Sequence, residues 1–229
     1  MMQPAVAPET EAEIGRCYST TRAKTPDGMS ITVLPIGANQ TTIPSATGPA
    51  PSASIALAIG STKIPETCFR PELPRAREIK NAIQVIDGEV SRARKTIAIG
   101  SRLFTADADV ATIVLMAGIP DGSEAILTRE AMERVFARLA AATLGSPAGQ
   151  EAVPASATFA ATLLLLHECM HHLQFPSITI TAQCKADMDI AMCSVNRSDV
   201  PRSASRHTRI WRWRSARTSN PRNSHSHRR

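Results

Sequence analysis

The chain has 229 residues, a formal net charge of +6, 43% hydrophobic residues and only 3% aromatic residues. That length holds one or two domains, and the core has to be built from Ala, Leu, Ile and Val rather than from rings. The positive charge is local: residues 197–229 carry ten Arg against one acid, a net +9, which leaves −3 for residues 1–196. A basic pI therefore points to a polyanionic partner only for the tail.

No apolar run approaches the roughly 20 residues needed to cross a bilayer, so no membrane span is expected. The first residues lack a basic segment followed by an apolar one, so no secretory signal is read and the cytoplasm is the expected compartment. Five Cys occur at irregular spacing with no C-x-x-C pair. That argues against a thiolate zinc site and against a disulfide framework, leaving a single Cys17–Cys68 bond open.

Residues 1–75 are rich in Pro, Thr, Ser and Ala and read as a weakly ordered N-terminal region. Pro26-Asp27-Gly28 is a turn signal. Ser30–Ile36 and Ser54–Ile59 have the composition of short strands, and the Pro- and Ser-rich run between them reads as linker. The second region, 76–192, opens with a helix over Arg75–Arg94, where Ile79, Ala82, Ile83, Ile86 and Val90 recur at helical spacing. Thr96–Ile99 reads as a short strand and Asp107–Ala117 as a second helix. Thr128–Leu144 is the clearest helix, with Thr128 as its cap, Glu130 in its first turn and Gly145 beyond its end.

After a loop, a helix from about Ala155 carries Leu163–Leu166 and then His167-Glu168-Cys169-Met170-His171-His172-Leu173-Gln174, stopped by Phe175-Pro176. Ser177–Thr181 reads as a strand or an extended loop, and Ala182–Met192 as a further short helix. From 193 to 229 apolar periodicity is absent, so the basic tail is expected to be disordered. Its abrupt change of character also fits a shifted reading frame near the end of a longer gene.

The chemistry concentrates in H-E-x-x-H. Residues four apart on a helix share a face, so His167 and His171 can reach one metal ion, and Glu168 stands beside them as general base. The bland alternative is a helix end with three polar side chains in solvent. Cys169 reads as a small buried apolar residue.

The stretch His167–Gln174 resembles the H-E-x-x-H-H-x-Q of bacterial neutral zinc metallopeptidases of the zincin type, and Gln183-Cys184-Lys185-Ala186-Asp187 resembles their later E-x-x-A-D. The resemblance implies an α+β fold with a mostly helical zincin-like core, a small sheet and disordered ends. It implies Zn²⁺ held by His167 and His171, Glu168 as catalytic base, and hydrolysis of a peptide or protein substrate by a metal-activated water. Gln183 stands where the family has its acidic third ligand. Asp187 is taken as that ligand, with Asp189 and His172 as alternatives. His172 is turned about 100° from His171 on the helix.

Two further readings stay open. One is an inactive or truncated member of the same family, suggested by Gln183. The other is a nucleic-acid binder acting through the Arg-rich tail with Trp211 and Trp213.

Overall fold

A computed structural model describes residues 8–70, 74–120, 124–145 and 153–181. In chain order the elements are α1 (Pro8–Ala23), β1 (Ile31–Val33), β2 (Thr41–Ala46), β3 (Ala53–Leu57), α2 (Lys63–Cys68), α3 (Ala76–Ala93), β4 (Arg102–Thr105), α4 (Ala108–Met116), β5 (Glu124–Thr128), α5 (Arg129–Thr143), α6 (Ala157–His172) and β6 (Ser177–Thr181). The six strands form one mixed sheet in the order β3-β2-β1-β4-β6-β5. β1, β4 and β6 run parallel, while β2, β3 and β5 are antiparallel to their neighbours.

This overturns the expected mostly helical zincin-like core and the weakly ordered N-terminal region; the basic tail from 193 lies outside the described residues. The first third of the chain supplies half of the strands, and β1 hydrogen-bonds β4 directly.

Side-chain alternation sorts the sheet into two faces. Leu34, Ile43, Ile55, Leu57, Leu103, Leu127, Ile178 and Ile180 join the main core beneath α3, α5 and α6. Ile31, Val33, Ala46 and Phe104 point the other way and close a smaller core with Tyr18 of α1. The Tyr18 hydroxyl, carried into that core, donates to Gly48 O at 2.9 Å. α6 is buried from Phe159 to Leu166 and packs against α3, α5 and α4, so a helix apolar on every side is what this position requires.

The caps are local and side-chain specific. The hydroxyls of Thr128 and Ser156 accept from Ala131 N and Phe159 N, each at 3.2 Å, and Glu78 reaches back to Arg75 N at 2.9 Å.

Two strands depart from the sequence reading for identifiable reasons. β2 carries Pro44, which argues against a strand flanked on both sides. The β1–β2 ladder stops at the Thr32–Ser45 pair and resumes only at the Ile36–Thr41 bridge, so Pro44 falls in a gap of that ladder. Thr96–Ile99 is not a strand. Ala98 N is taken by the Ser45 hydroxyl at 3.0 Å and Ile99 lies fully in solvent, while the strand forms six residues later at Arg102–Thr105. The Ser45 hydroxyl continues to Thr32 at 2.9 Å and from there to Ser101 at 2.8 Å, a chain of hydroxyls that satisfies the polar groups buried beside β1.

One glycine sets how closely two loops approach. A Cβ on Gly60 would lie 2.3 Å from Ala38 O and 2.5 Å from Gly37 O, both backbone atoms. Gly88, in the middle of α3, faces open space. Gly60→Ala is expected to destabilise the protein by about 2–3 kcal/mol and Gly88→Ala to stabilise it by about 0.5–1 kcal/mol. Urea unfolding of the two variants tests this, and equal effects of the same sign would contradict the close approach.

Candidate functional site

The three parallel strands end at the same edge of the sheet, and a crevice outside the carboxyl ends of such strands is where open α/β sheets bind ligands. Beyond β1 the chain turns through Pro35-Ile36-Gly37-Ala38-Asn39-Gln40, and beyond β4 it passes through Ala106 to Asp107. The Thr105 hydroxyl joins these segments, donating to Leu34 O at 2.8 Å and accepting from Asp107 N at 3.2 Å.

A third segment, Gly60–Lys63, clasps the first. Ser61 N donates to Gly37 O at 3.0 Å, while Thr62 N and Lys63 N donate to Ala38 O at 2.9 and 3.0 Å. The Thr41 hydroxyl adds a bond to Ile59 O at 2.9 Å. Glycine at 60 allows the two backbones to come this close, and glycine at 37 lets the first turn fold tightly on itself, since a Cβ there would lie 2.3 Å from Gln40 O.

Asp107 is the carboxylate of this edge. It caps α4 by accepting from Asp109 N at 2.9 Å. Burial, with the Asp109 charge adding to it, raises its pKa from the ordinary Asp value, against the opposing pull of the Asp109, Ile36 and Val110 amides. The interaction with Ile36 ties the loop after β4 to the loop after β1. Neither Asp107 nor Gly37 was singled out from sequence. The available signal was a short β-type run ending in Gly37, followed by a strand ending in a helix-capping Asp.

The residues that were singled out lie at the opposite edge. α6 runs back against the parallel strands and enters β6 within five residues, so its polar end sits at the strands' amino ends. There Glu168 is only 4% exposed. Its Oε1 lies 2.9 Å from His167 Nδ1 and its Oε2 lies 3.0 Å from His172 Nε2. His167 Nε2 lies 3.1 Å from Glu133 Oε1 on α5, and His172 Nε2 lies 3.1 Å from Asp87 Oδ1 on α3.

The ring of Phe136 stacks on His167 at 4.4 Å, and His171 is 6.1 Å from His167 between ring centroids. Both nitrogens of His167 therefore face carboxylates. Cys169 is buried, and burial together with the Glu168 charge pushes its thiol up to about 12, which makes it unreactive. Cys68 carries a free thiol, so the Cys17–Cys68 bond is not formed.

Among the described residues no group of three or more His, Cys, Asp or Glu is arranged to hold a metal ion. Asp187, Asp189 and Gln183 lie outside the described residues, as does the Arg-rich tail. Among the described residues no helix is long and apolar enough to cross a membrane.

No family model matches the chain, and no curated protein does. Solved structures do. The type II variant of the Ppx/GppA phosphatase of Aquifex aeolicus shares 16% identity at a TM-score of 0.58, over 77% of this chain and 60% of that one. Another structure of the Aquifex aeolicus member of the Ppx/GppA family shares 16% at 0.59, over 84% and 65%. An exopolyphosphatase from Cytophaga hutchinsonii ATCC 33406 shares 12% at 0.58, over 76% and 59%. The chain thus spans about three fifths of the length of these structures, and at such identities the likeness is one of fold.

That fold corrects the resemblance drawn from H-E-x-x-H. The helix bearing the motif is the buried crossover before a parallel strand in a Ppx/GppA-type sheet, not the active-site helix of a zincin. The metallopeptidase reading falls with it, as do the peptide substrate and the inactive-peptidase alternative. Binding of nucleic acid through the tail gains no support from these likenesses either.

His167 has a testable consequence for pH. Burial lowers its pKa, but the hydrogen bonds and charges of Glu168 and Glu133 outweigh burial, so the folded value is raised above 6.5. Its contribution to stability is therefore complete below about 6.5 and is lost as pH rises through the folded value. Thermal melting between pH 5.5 and 8.5 is expected to show the wild type losing ground to His167→Gln as pH rises. Parallel curves would contradict the raised pKa.

Proposed function

We propose that the chain handles a phosphoryl compound, a phosphoanhydride chain such as polyphosphate or a phosphate ester, at the carboxyl-end crevice, and that it does so as a phosphohydrolase. The observation that carries this reading is the likeness of the whole sheet to structures named as Ppx/GppA phosphatases and an exopolyphosphatase. The clasped loops at the ligand-binding edge of that sheet support it.

Phosphoryl transfer asks a protein mainly for positioning and charge stabilisation. In this proposal the turn Gly37–Gln40, whose carbonyls of Gly37 and Ala38 are committed to the Gly60–Lys63 segment, offers the amides of Ala38 and Asn39 to phosphoryl oxygens. Lys63, at the start of α2, brings positive charge beside that turn. Asp107, anchored by backbone amides and with its pKa raised by burial, orients the attacking water and takes up its proton. The chain's reduced thiol at Cys68 is consistent with extending the proposal to a cytoplasmic setting.

The test is release of inorganic phosphate from linear polyphosphate in magnesium-containing buffer, with filter binding of the same substrate alongside. Wild-type protein is expected to bind and hydrolyse it. Asp107→Asn should retain binding and lose about 10²-fold in turnover. Asn is as good a helix cap as Asp, so the fold should survive the change. Neither binding nor hydrolysis by the wild type would overturn the reading.

A further inference from the structure

The H-E-x-x-H-H stretch has no part in the proposed phosphoryl chemistry, yet it builds a polar network that joins three helices. Glu168 is its hub. One carboxylate oxygen holds His167 and the other holds His172. His167 hands on through its other nitrogen, Nε2, to Glu133 on α5 at 3.1 Å, whereas His172 presents the one nitrogen, Nε2, to both Glu168 at 3.0 Å and Asp87 on α3 at 3.1 Å. Arg94, just after α3, adds hydrogen bonds from Nε and Nη2 to His172 O at 3.2 and 2.9 Å. Phe136 of α5 stacks on the His167 ring and fixes its plane. Among the described residues the ion pairs of this network come from α3, α5 and α6 alone.

The chemistry of the groups makes the two arms interdependent. An ionised carboxylate can only accept hydrogen bonds. Glu168, nearly out of contact with water, needs both imidazoles as donors, because a buried carboxylate that loses a donor meets its full desolvation cost. Glu133 holds the His167 ring by its far nitrogen in the orientation that serves Glu168, while Asp87 shares with Glu168 the single Nε2 of His172 and so gathers both carboxylates on that ring. Removing Glu133 frees His167 to turn and changes what Glu168 asks of His172.

We propose that Glu168 is a coupling hub, through which the contact between α5 and α6 and the contact between α3 and α6 depend on each other. The hub acts at the point where α6 hands the chain to β6, so it also fixes where that parallel strand begins. This inference does not depend on the phosphoryl reading, since the cluster and the crevice lie at opposite edges of the sheet.

A double-mutant cycle tests it on the full chain. Glu133→Gln and Asp87→Asn alter half-exposed residues at the two ends of the network and leave the buried hub intact, so both proteins should fold. Each is expected to lower the melting temperature by about 2–4 °C. The double variant is expected to fall short of the sum by about 1–2 °C, because the second arm is already weakened when the first is cut. Additive shifts would overturn the coupling. The cycle is repeated with EDTA and with added zinc. Coupling that survives both supports a purely protein-built hub, and coupling that disappears on chelation would replace it with a metal site.

Discussion

The structure depends on one constraint: β4 lies between β1 and β6 and runs parallel to both. Parallel neighbours cannot be joined by a tight turn, so the chain must cross back over the sheet twice. The first return uses β2, β3, α2 and α3. The second uses α4, β5, α5 and α6. Both returns lie on the face filled by the main core, which is why α3 and α6 pack side by side there. The same constraint sorts the polar residues. Segments leaving β1 and β4 gather at the carboxyl edge, where Gly37, Gly60 and Asp107 meet. Helices about to enter β4 and β6 end at the other edge, where Glu168 gathers its histidines.

The two edges differ in how they meet the cost of burying polar groups. At the carboxyl edge the partners are mostly backbone: the carbonyls of Gly37 and Ala38 are satisfied by amides of Ser61, Thr62 and Lys63. That arrangement leaves side chains free for a ligand. At the amino edge the partners are histidine and carboxylate side chains, and they satisfy one another. A network closed in this way holds helices together and has little capacity left for a substrate.

Helices α3 to α6 were legible because their patterns are local. The apolar positions of α3 and α5 and the cap at Thr128 can be read without knowing the fold. Strands β1, β3 and β6 were legible from their β-branched and apolar runs, but β2, β4 and β5 were not, because each depends on its neighbours. Pro44 disguises β2 until the gap in the β1–β2 ladder is seen, and Thr96–Ile99 has strand composition but spends an amide on Ser45. α1 is weakly patterned, and its Tyr18 finds a core only once β1 and β4 stand beside it. The carboxyl-edge crevice escaped the sequence reading for the same reason. H-E-x-x-H gathers its residues within one helical turn, so sequence exposes it, whereas Gly37, Gly60 and Asp107 are brought together only by the sheet. The motif drew the reading toward zinc chemistry because spacing along a helix cannot say which edge of a sheet that helix end will reach.

Amide hydrogen exchange in the presence and absence of linear polyphosphate tests the central claim most directly, because it reports where on the molecule the ligand sits. Slowed exchange at Ile36–Gln40, Gly60–Lys63 and Asp107–Asp109, with His167–Phe175 unchanged, is the predicted result. Protection at the α6 terminus instead, or no protection at either edge, would contradict a phosphoryl site at the carboxyl ends of the parallel strands.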